Sequence, residues 1–224
     1  MGNVRKMMQK ILWGLLICGS MLFFIIGVLL DKNIVLTLSL VACWLIFMLL
    51  AFATTDVLWV RQVIKKMDGL LPLVYTDPDQ FIQRLTELMK GVEVSHLIMT
   101  KDINLAVAHC QKGNYRIAAD LLNKLDPLRL PLIQRGVYWA NLSLTQFHLN
   151  QKKAACAILD DQRESLSYIE EFPETANLLA VLNIYRLLAQ GDREQARKAM
   201  EQLQQKQSSA GIQRELTLLE KQFK

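Results

Sequence analysis

Residues 11–30 read ILWGLLICGSMLFFIIGVLL and carry no charged side chain. A second uncharged run occupies residues 34–55, and only Asp31, Lys32 and Asn33 separate the two runs. At about 1.5 Å of rise per residue, a helix of either length matches the roughly 30 Å hydrocarbon core of a bilayer. Because Asp31 and Lys32 would be costly at mid-membrane, the two runs are predicted to be transmembrane helices that form a hairpin.

The basic residues near the two runs predict their orientation. Residues 1–10 and the segment after the second run carry most of the nearby cations, whereas the connecting turn offers only Lys32. The positive-inside rule therefore places both termini in the cytoplasm, and we expect a two-span protein of a bacterial cell membrane. Six side chains are expected to contact the membrane surface: Arg5, Lys6, Lys10, Arg61, Lys65 and Lys66.

The composition agrees with a membrane protein and argues against a nucleic-acid partner. Hydrophobic residues make up 52% of the 224 residues, and the formal net charge is +5. Arg5, Lys6 and Lys10 account for much of that charge, and the sequence after the two runs is nearly balanced. A nucleic-acid-binding surface needs a clustered basic face, which this distribution does not predict.

Residues 56–93 are predicted to be a juxtamembrane helix followed by a linker helix. No helix-breaking residue lies between Thr55 and Met67, so the second span is expected to continue out of the bilayer until Gly69. The sequence Asp77-Pro78 is a typical helix start, because aspartate caps the helix and proline suits its first turn. The linker helix that follows has an apolar stripe that must pack against something.

Residues 94–224 show helical patterns punctuated by three similar turns and no strand pattern. Five residues after the start of each turn an alanine recurs, and four residues later a large hydrophobic residue follows. A small residue at that place lets the second helix of a pair approach the first closely. The turns are Gly113-Asn114, Asn150-Gln151 and Gly191-Asp192, the alanines are Ala118, Ala155 and Ala196, and the large residues are Leu122, Leu159 and Met200.

These units resemble tetratricopeptide repeats. Residues 103–115 read INLAVAHCQKGNY, which is similar to the first helix and turn of such a repeat, and residues 187–196 read LLAQGDREQA, which resembles the same turn in a later repeat. In the middle unit Asn150 replaces the turn glycine. The resemblance implies an all-α solenoid of about three repeats over residues 94–224, closed by a capping helix near residues 211–223.

The resemblance also implies a protein-binding groove. In tetratricopeptide arrays the first helices of successive repeats line a concave face, and an apolar face of that kind is expected to be covered. Three occupants remain open: the linker helix at residues 78–90, a second copy of the chain as a homo-oligomer, or an amphipathic helix from another protein. The implied lining residues are Ile103, Val107, Val137, Ala140, Leu144, Phe147, Leu178, Val181, Tyr185 and Leu188. The polar rim beside them includes Lys101, His148 and Arg186.

The sequence contains no arrangement that predicts an enzyme, a metal or a cofactor. Phosphate-binding loops, zinc-binding histidine pairs and nucleophile elbows are absent from the sequence. His109 and Cys110 are adjacent, and neighbours on a helix point about 100° apart, so they cannot face one substrate. The four cysteines have no paired spacing and are expected to be buried, reduced thiols.

Two functions fit these expectations. The first is a membrane-anchored scaffold or adaptor whose helical-repeat domain mediates protein–protein interaction at the cytoplasmic face. The alternative is a structural subunit of a larger membrane complex, in which the hairpin packs against transmembrane helices of a partner. The sequence predicts two kinds of partner, the lipid bilayer and another protein, but does not identify that protein.

Overall fold

The computed structural model describes residues 2–29, 34–206 and 209–223. These residues form helices and turns without a strand, which confirms the predicted all-α class. The chain divides into two compact units, which we call the first unit (Met1–Gly69 and Thr86–Glu93) and the second unit (Leu70–Leu85 and Val94–Lys224). The turn predicted at residues 31–33 lies outside the described residues.

Two long helices form most of the first unit: α1 (Gly2–Leu29) and α2 (Ile34–Asp68). Both are long and apolar enough, by length and composition, to cross a membrane. The helix α1 begins inside the basic segment at residues 1–10, so Lys6 and Lys10 share one helix with the uncharged run. The helix α2 continues past the second run to Asp68 and ends before Gly69, the first residue able to break the pattern.

Aromatic contacts join α1 to α2. The ring centroids of Trp13 and Phe52 lie 5.5 Å apart, as do those of Phe23 and Trp44. Residues early in α1 thus meet residues late in α2, so the two helices run antiparallel. A Cβ atom at Gly19 would lie 2.4 Å from the Trp44 ring, which means that the missing side chain makes room for the indole between the helices.

The remaining helices are short and follow one another closely. Asp77 caps the second of them, because its Oδ1 accepts a hydrogen bond from the backbone N–H of Gln80 at 3.0 Å, as the Asp-Pro sequence predicts. In chain order they are α3 (Leu73–Thr76), α4 (Pro78–Leu88), α5 (Ser95–Gln111), α6 (Tyr115–Asn123), α7 (Leu132–His148), α8 (Lys152–Asp161), α9 (Arg163–Ser167), α10 (Pro173–Gln190), α11 (Arg193–Gln204) and α12 (Ala210–Phe223).

Three helix pairs in the second unit share one turn geometry: α5 with α6, α7 with α8, and α10 with α11. Each turn holds one residue in the left-handed region, with φ of 79° at Gly113, 60° at Asn150 and 85° at Gly191. Asparagine enters this region more readily than other side chains, which explains why Asn150 can stand at a glycine position. The next N–H donates in each case to a carbonyl five residues back, in the pairs Asn114 to His109, Gln151 to Gln146 and Asp192 to Leu187.

The recurring alanines lie where the two helices of each pair meet. Ala118, Ala155 and Ala196 are fully buried. The large residues that follow them are also buried, namely Leu122, Leu159 and Met200. Because alanine fills little space, the backbones of the paired helices can approach at these three equivalent places, and a larger side chain there would force them apart.

The second and third pairs are separated by the extra helix α9, in the interval where the repeat spacing is longest. Gly136 on α7 makes this possible, because a Cβ atom there would lie 2.5 Å from the carbonyl oxygen of Ser165. Ile169, just after α9, is fully buried, and its Cγ2 atom would lie 2.8 Å from the same Cβ atom. The close approach of α7 and α9 therefore depends on glycine at residue 136.

A rigid turn precedes α7. Residues Pro127–Arg129 form a short 3-10 helix, and the Arg135 guanidinium donates to the carbonyl oxygens of Pro127, Leu128 and Leu130 at 3.0–3.2 Å. Asp126 accepts a hydrogen bond from the backbone N–H of Leu128 at 3.1 Å. These bonds hold the turn in one conformation although the Leu128 side chain is 76% exposed.

Candidate protein-binding face

The ten residues of the implied groove all lie on α5, α7 and α10, the first helices of the three pairs. We call the surface that carries them the first-helix face. Six of its side chains are buried and the other four are partly buried. The buried residues are Ile103, Ala140, Leu144, Phe147, Val181 and Tyr185, and the partly buried ones are Val107, Val137, Leu178 and Leu188.

The helix α12 covers much of this face. Ile212, Leu216 and Leu219 of α12 are buried in the same apolar cluster as the groove residues of α7 and α10. Within the described part of the chain, that cluster includes no buried residue from 78–90, the intramolecular occupant expected from the sequence. Over α7 and α10 the helix that lies on the face is α12, which was expected only to cap the array, so these side chains are not open to solvent as a groove.

A buried carboxylate fixes α12 on the first-helix face. The Glu215 side chain is 3% exposed, and its Oε2 lies 2.8 Å from His148 Nε2. The same oxygen accepts a hydrogen bond from the Tyr185 hydroxyl at 3.0 Å. Burial raises the pKa of Tyr185, and the neighbouring Glu215 carboxylate raises it further, so Tyr185 remains a phenol that can donate to Glu215.

Aromatic rings surround this carboxylate site. The imidazole of His148 stacks on Tyr115 of α6 at a centroid distance of 4.2 Å and an interplanar angle of 8°. Tyr185 meets the same imidazole edge-on at 5.5 Å and stacks on Phe147 at 5.4 Å. His148, expected on a polar rim, is therefore packed between rings beneath α12 and points one nitrogen at Glu215.

Further polar contacts tie α12 to the first and third helix pairs. The Arg214 guanidinium donates to the Cys110 carbonyl oxygen at 2.7 Å, at the end of α5. At the other end of α12, Arg193 donates to the Gln222 carbonyl oxygen at 2.9 Å. With Glu215 bonded to residues of α7 and α10, α12 thus contacts all three pairs.

The other two rim residues have partners elsewhere. Arg186 forms an ion pair with Asp160 at 2.9 Å, and Lys101 forms one with Asp102 at 2.9 Å. Both pairs are partly exposed, so each contributes little to stability. Among the described residues, His148 is the expected rim residue that bonds to the helix covering the face.

The predicted membrane-surface cations lie on α1 and α2. Lys10, Arg61, Lys65 and Lys66 are exposed. Lys6 is also exposed and forms an ion pair with Glu93 at 3.0 Å within the first unit. The side chain of Arg5 lies outside the described residues.

Sequence reasoning missed Glu215, the residue on which α12 is centred. Ile212, Glu215, Leu216 and Leu219 follow the spacing of a single helical stripe, so an acidic residue stands on the apolar face. A charged residue in that register is a signal for a buried polar partner, because an unpaired buried charge is strongly destabilising. The partners themselves, His148 and Tyr185, could not be assigned without the fold.

Of the four cysteines expected to be buried, Cys110 is buried and Cys156 is half-buried, whereas Cys18 on α1 and Cys43 on α2 are exposed. We expect the Cys110 thiol to be unreactive in the folded protein. Burial raises its pKa to about 11 despite a hydrogen-bond contact with Thr145 Oγ1 at 3.3 Å. Since the thiolate is the reactive form, iodoacetamide at pH 8 should modify Cys110 on the order of 100-fold more slowly than a free thiol. Peptide mass mapping with and without urea measures this difference, and rapid labelling of the folded chain would contradict it.

The same shift sets a direction for stability at high pH. A thiol in the unfolded chain ionises near pH 8.5, whereas Cys110 in the folded chain stays protonated until about pH 11. Its contribution to stability is therefore present below pH 8.5 and is lost as the pH rises through this interval.

Nothing in the described residues assembles a metal site: no group of three or more His, Cys, Asp or Glu side chains could hold an ion there. Comparisons with known family models, curated proteins and solved structures yield no match.

Proposed function

We propose that this protein is a membrane-anchored adaptor of a bacterial cell membrane. Its anchor is a transmembrane hairpin of α1 and α2, and its interaction domain is a tetratricopeptide-like array of the three helix pairs with α12 as the final helix. Both termini lie in the cytoplasm, and the domain mediates protein–protein interaction there.

The observation that carries this proposal is the apolar surface of α1 and α2. Most of the exposed large hydrophobic side chains among the described residues belong to these two helices. Met21, Phe24 and Leu49, for example, are 64–69% exposed. A continuous apolar surface of this extent is unfavourable in water and matches the lipid-facing side of membrane helices.

The geometry of the second unit supports the interaction domain. Three helix pairs, each with a left-handed turn conformation and a buried alanine at the same place, are what a repeat array needs at its pair interfaces. Side chains from α7 and α10 hold the chain's own amphipathic helix α12, and a helix packed in a groove is a recurrent mode of protein recognition. This support concerns fold and binding mode and does not depend on any catalytic group.

Cell fractionation and protease accessibility test the anchor and its orientation. The full chain, tagged at both ends, is expected in the membrane fraction after alkaline carbonate washing. Both tags should resist external protease in intact spheroplasts and become accessible after permeabilisation. Release by carbonate, or digestion of either tag from outside, would contradict the proposal.

Crosslinking in native membranes separates the adaptor from the alternative function. Soluble cytoplasmic proteins crosslinked to the helical pairs are expected for an adaptor. Crosslinks confined to other membrane proteins through α1 and α2 would instead favour a structural subunit of a membrane complex, since the exposed faces of those helices could also pack on partner spans.

A further inference from the structure

We propose that the first-helix face is a docking site for an amphipathic helix of a partner protein that carries one carboxylate within its apolar stripe, and that α12 occupies this site as an intramolecular competitor. This inference rests on the proposed adaptor function and specifies the chemistry of the partner.

The chemistry of the ligand follows from what α12 presents. Ile212, Leu216 and Leu219 supply its buried apolar stripe, and Glu215 supplies a carboxylate within the same stripe. The first-helix face offers apolar side chains for the former and two hydrogen-bonding groups, on His148 and Tyr185, for the latter. A partner helix with an apolar residue three positions before an acidic residue, and others one and four positions after it, reproduces these contacts.

The carboxylate points to recognition rather than to simple capping. A leucine or methionine at residue 215 would cover the face without the cost of removing a charged group from water. Replacing a buried charged pair by apolar side chains of similar size is often neutral or even stabilising, so stability alone does not explain a glutamate here. What Glu215 adds is register and orientation, because groups from α7 and α10 converge on one of its oxygens. Polar groups that become unpaired with a wrong ligand are the usual source of such specificity.

A partner helix would have to displace α12 from this face. Its covalent link to the array is the segment between Gln204 and Ala210, and several of its outer contacts lie in exposed positions, such as Gln204 Nε2 with Glu220 Oε1 at 2.7 Å. A tethered helix competes at an effective concentration of about millimolar, so a free partner must bind tightly or be concentrated nearby. A partner held at the same membrane would meet this condition.

A labelled peptide of residues 209–223 tests the site in the full-length protein in nanodiscs. The Glu215→Lys protein is expected to release α12, because lysine cannot accept from Tyr185, and to bind the peptide at least about 10-fold more tightly than the wild-type chain. Thr217→Lys is the matched control, since Thr217 is exposed on the same helix and should leave binding as in the wild type. Fluorescence anisotropy gives the affinities.

Two further variants test the carboxylate specifically. A peptide with the Glu215→Lys change should not bind the Glu215→Lys protein. Adding Tyr185→Phe to that protein keeps the ring and removes the hydroxyl, and it should weaken binding of the wild-type peptide about 10-fold. Equal binding with and without the hydroxyl would overturn the role given to the carboxylate.

The remaining outcomes also decide the question. If Glu215→Lys unfolds the array, a second variant is used instead: the wild-type protein with a protease site inserted between Gln204 and Ala210. Exchange of the cleaved α12 for labelled peptide would support the docking site. A cleaved α12 that never exchanges would overturn the proposal. Dimers of the uncleaved wild-type chain that crosslink through the first-helix face would assign the face to a second copy and overturn the partner proposal. Carbonate extraction of the same variants reports separately on the membrane anchor.

Discussion

Replacing Gly136 with alanine is expected to lower the free energy of unfolding of the second unit by about 1–3 kcal/mol. The new Cβ atom would lie 2.5 Å from the Ser165 carbonyl oxygen and 2.8 Å from the Ile169 Cγ2 atom. The first neighbour is backbone and the second is fully buried, so neither can move without displacing α9. The melting temperature should fall by roughly 2–4 °C per kcal/mol, which thermal circular dichroism measures.

Gly14→Ala is the matched control for this substitution. Gly14 also lies within a helix, but no heavy atom outside its own helix lies within 4 Å of the added Cβ. Alanine is a better helix former than glycine, so this variant should not melt below the wild type. Identical melting of the Gly136→Ala protein and the wild type would show that α7 and α9 do not approach as closely as described.

Arginine in place of Met21 is expected to reduce membrane insertion of the full chain on the order of 100-fold. Met21 is 64% exposed and lies near the middle of the uncharged run at residues 11–30. Under the proposed function it faces lipid, where arginine at a helix centre costs about 2.5–3.5 kcal/mol. The carbonate-resistant fraction of the variant measures the loss, and a double variant with Ile46→Arg should lose more.

Leu128→Arg provides the comparison. Leu128 is 76% exposed in the second unit. Under the proposed function that side chain contacts water rather than lipid, so arginine should be tolerated there. We therefore expect this variant to fractionate as the wild type does. Indistinguishable fractionation of the arginine variants at residues 21 and 128 would mean that the exposed face of α1 does not lie in lipid, and the anchor proposal would be wrong.

Local patterns were enough to predict much of the helical unit. The positions of Gly113, Asn150 and Gly191 could be read as turns because each follows a helical pattern and can adopt positive φ. The all-α class likewise follows from a period near 3.6 and the lack of strand patterns. Such features depend on neighbours within a few residues, which the sequence displays directly.

The occupant of the first-helix face depends on contacts that no local pattern encodes. Glu215 is 67 residues from His148 along the chain and 30 from Tyr185. The amphipathic stripes of the linker helix and of α12 each indicate that one face of the helix must be buried. They do not indicate which surface of the protein will bury that face. The contacts of the Glu215 carboxylate with His148 and Tyr185 can be recognised only once α7 and α10 lie side by side.

The position of α12 across all three helix pairs also bears on how the domain is made. Arrays whose pairs touch only their neighbours can unfold one pair at a time, whereas a helix bonded near Cys110, His148 and Tyr185 couples distant pairs into one cooperative unit. Translation delivers α12 after the pairs it joins, at about 5–20 residues per second. Every newly made copy therefore passes through a short period in which its first two pairs have been synthesised and the helix that will join them to the third has not.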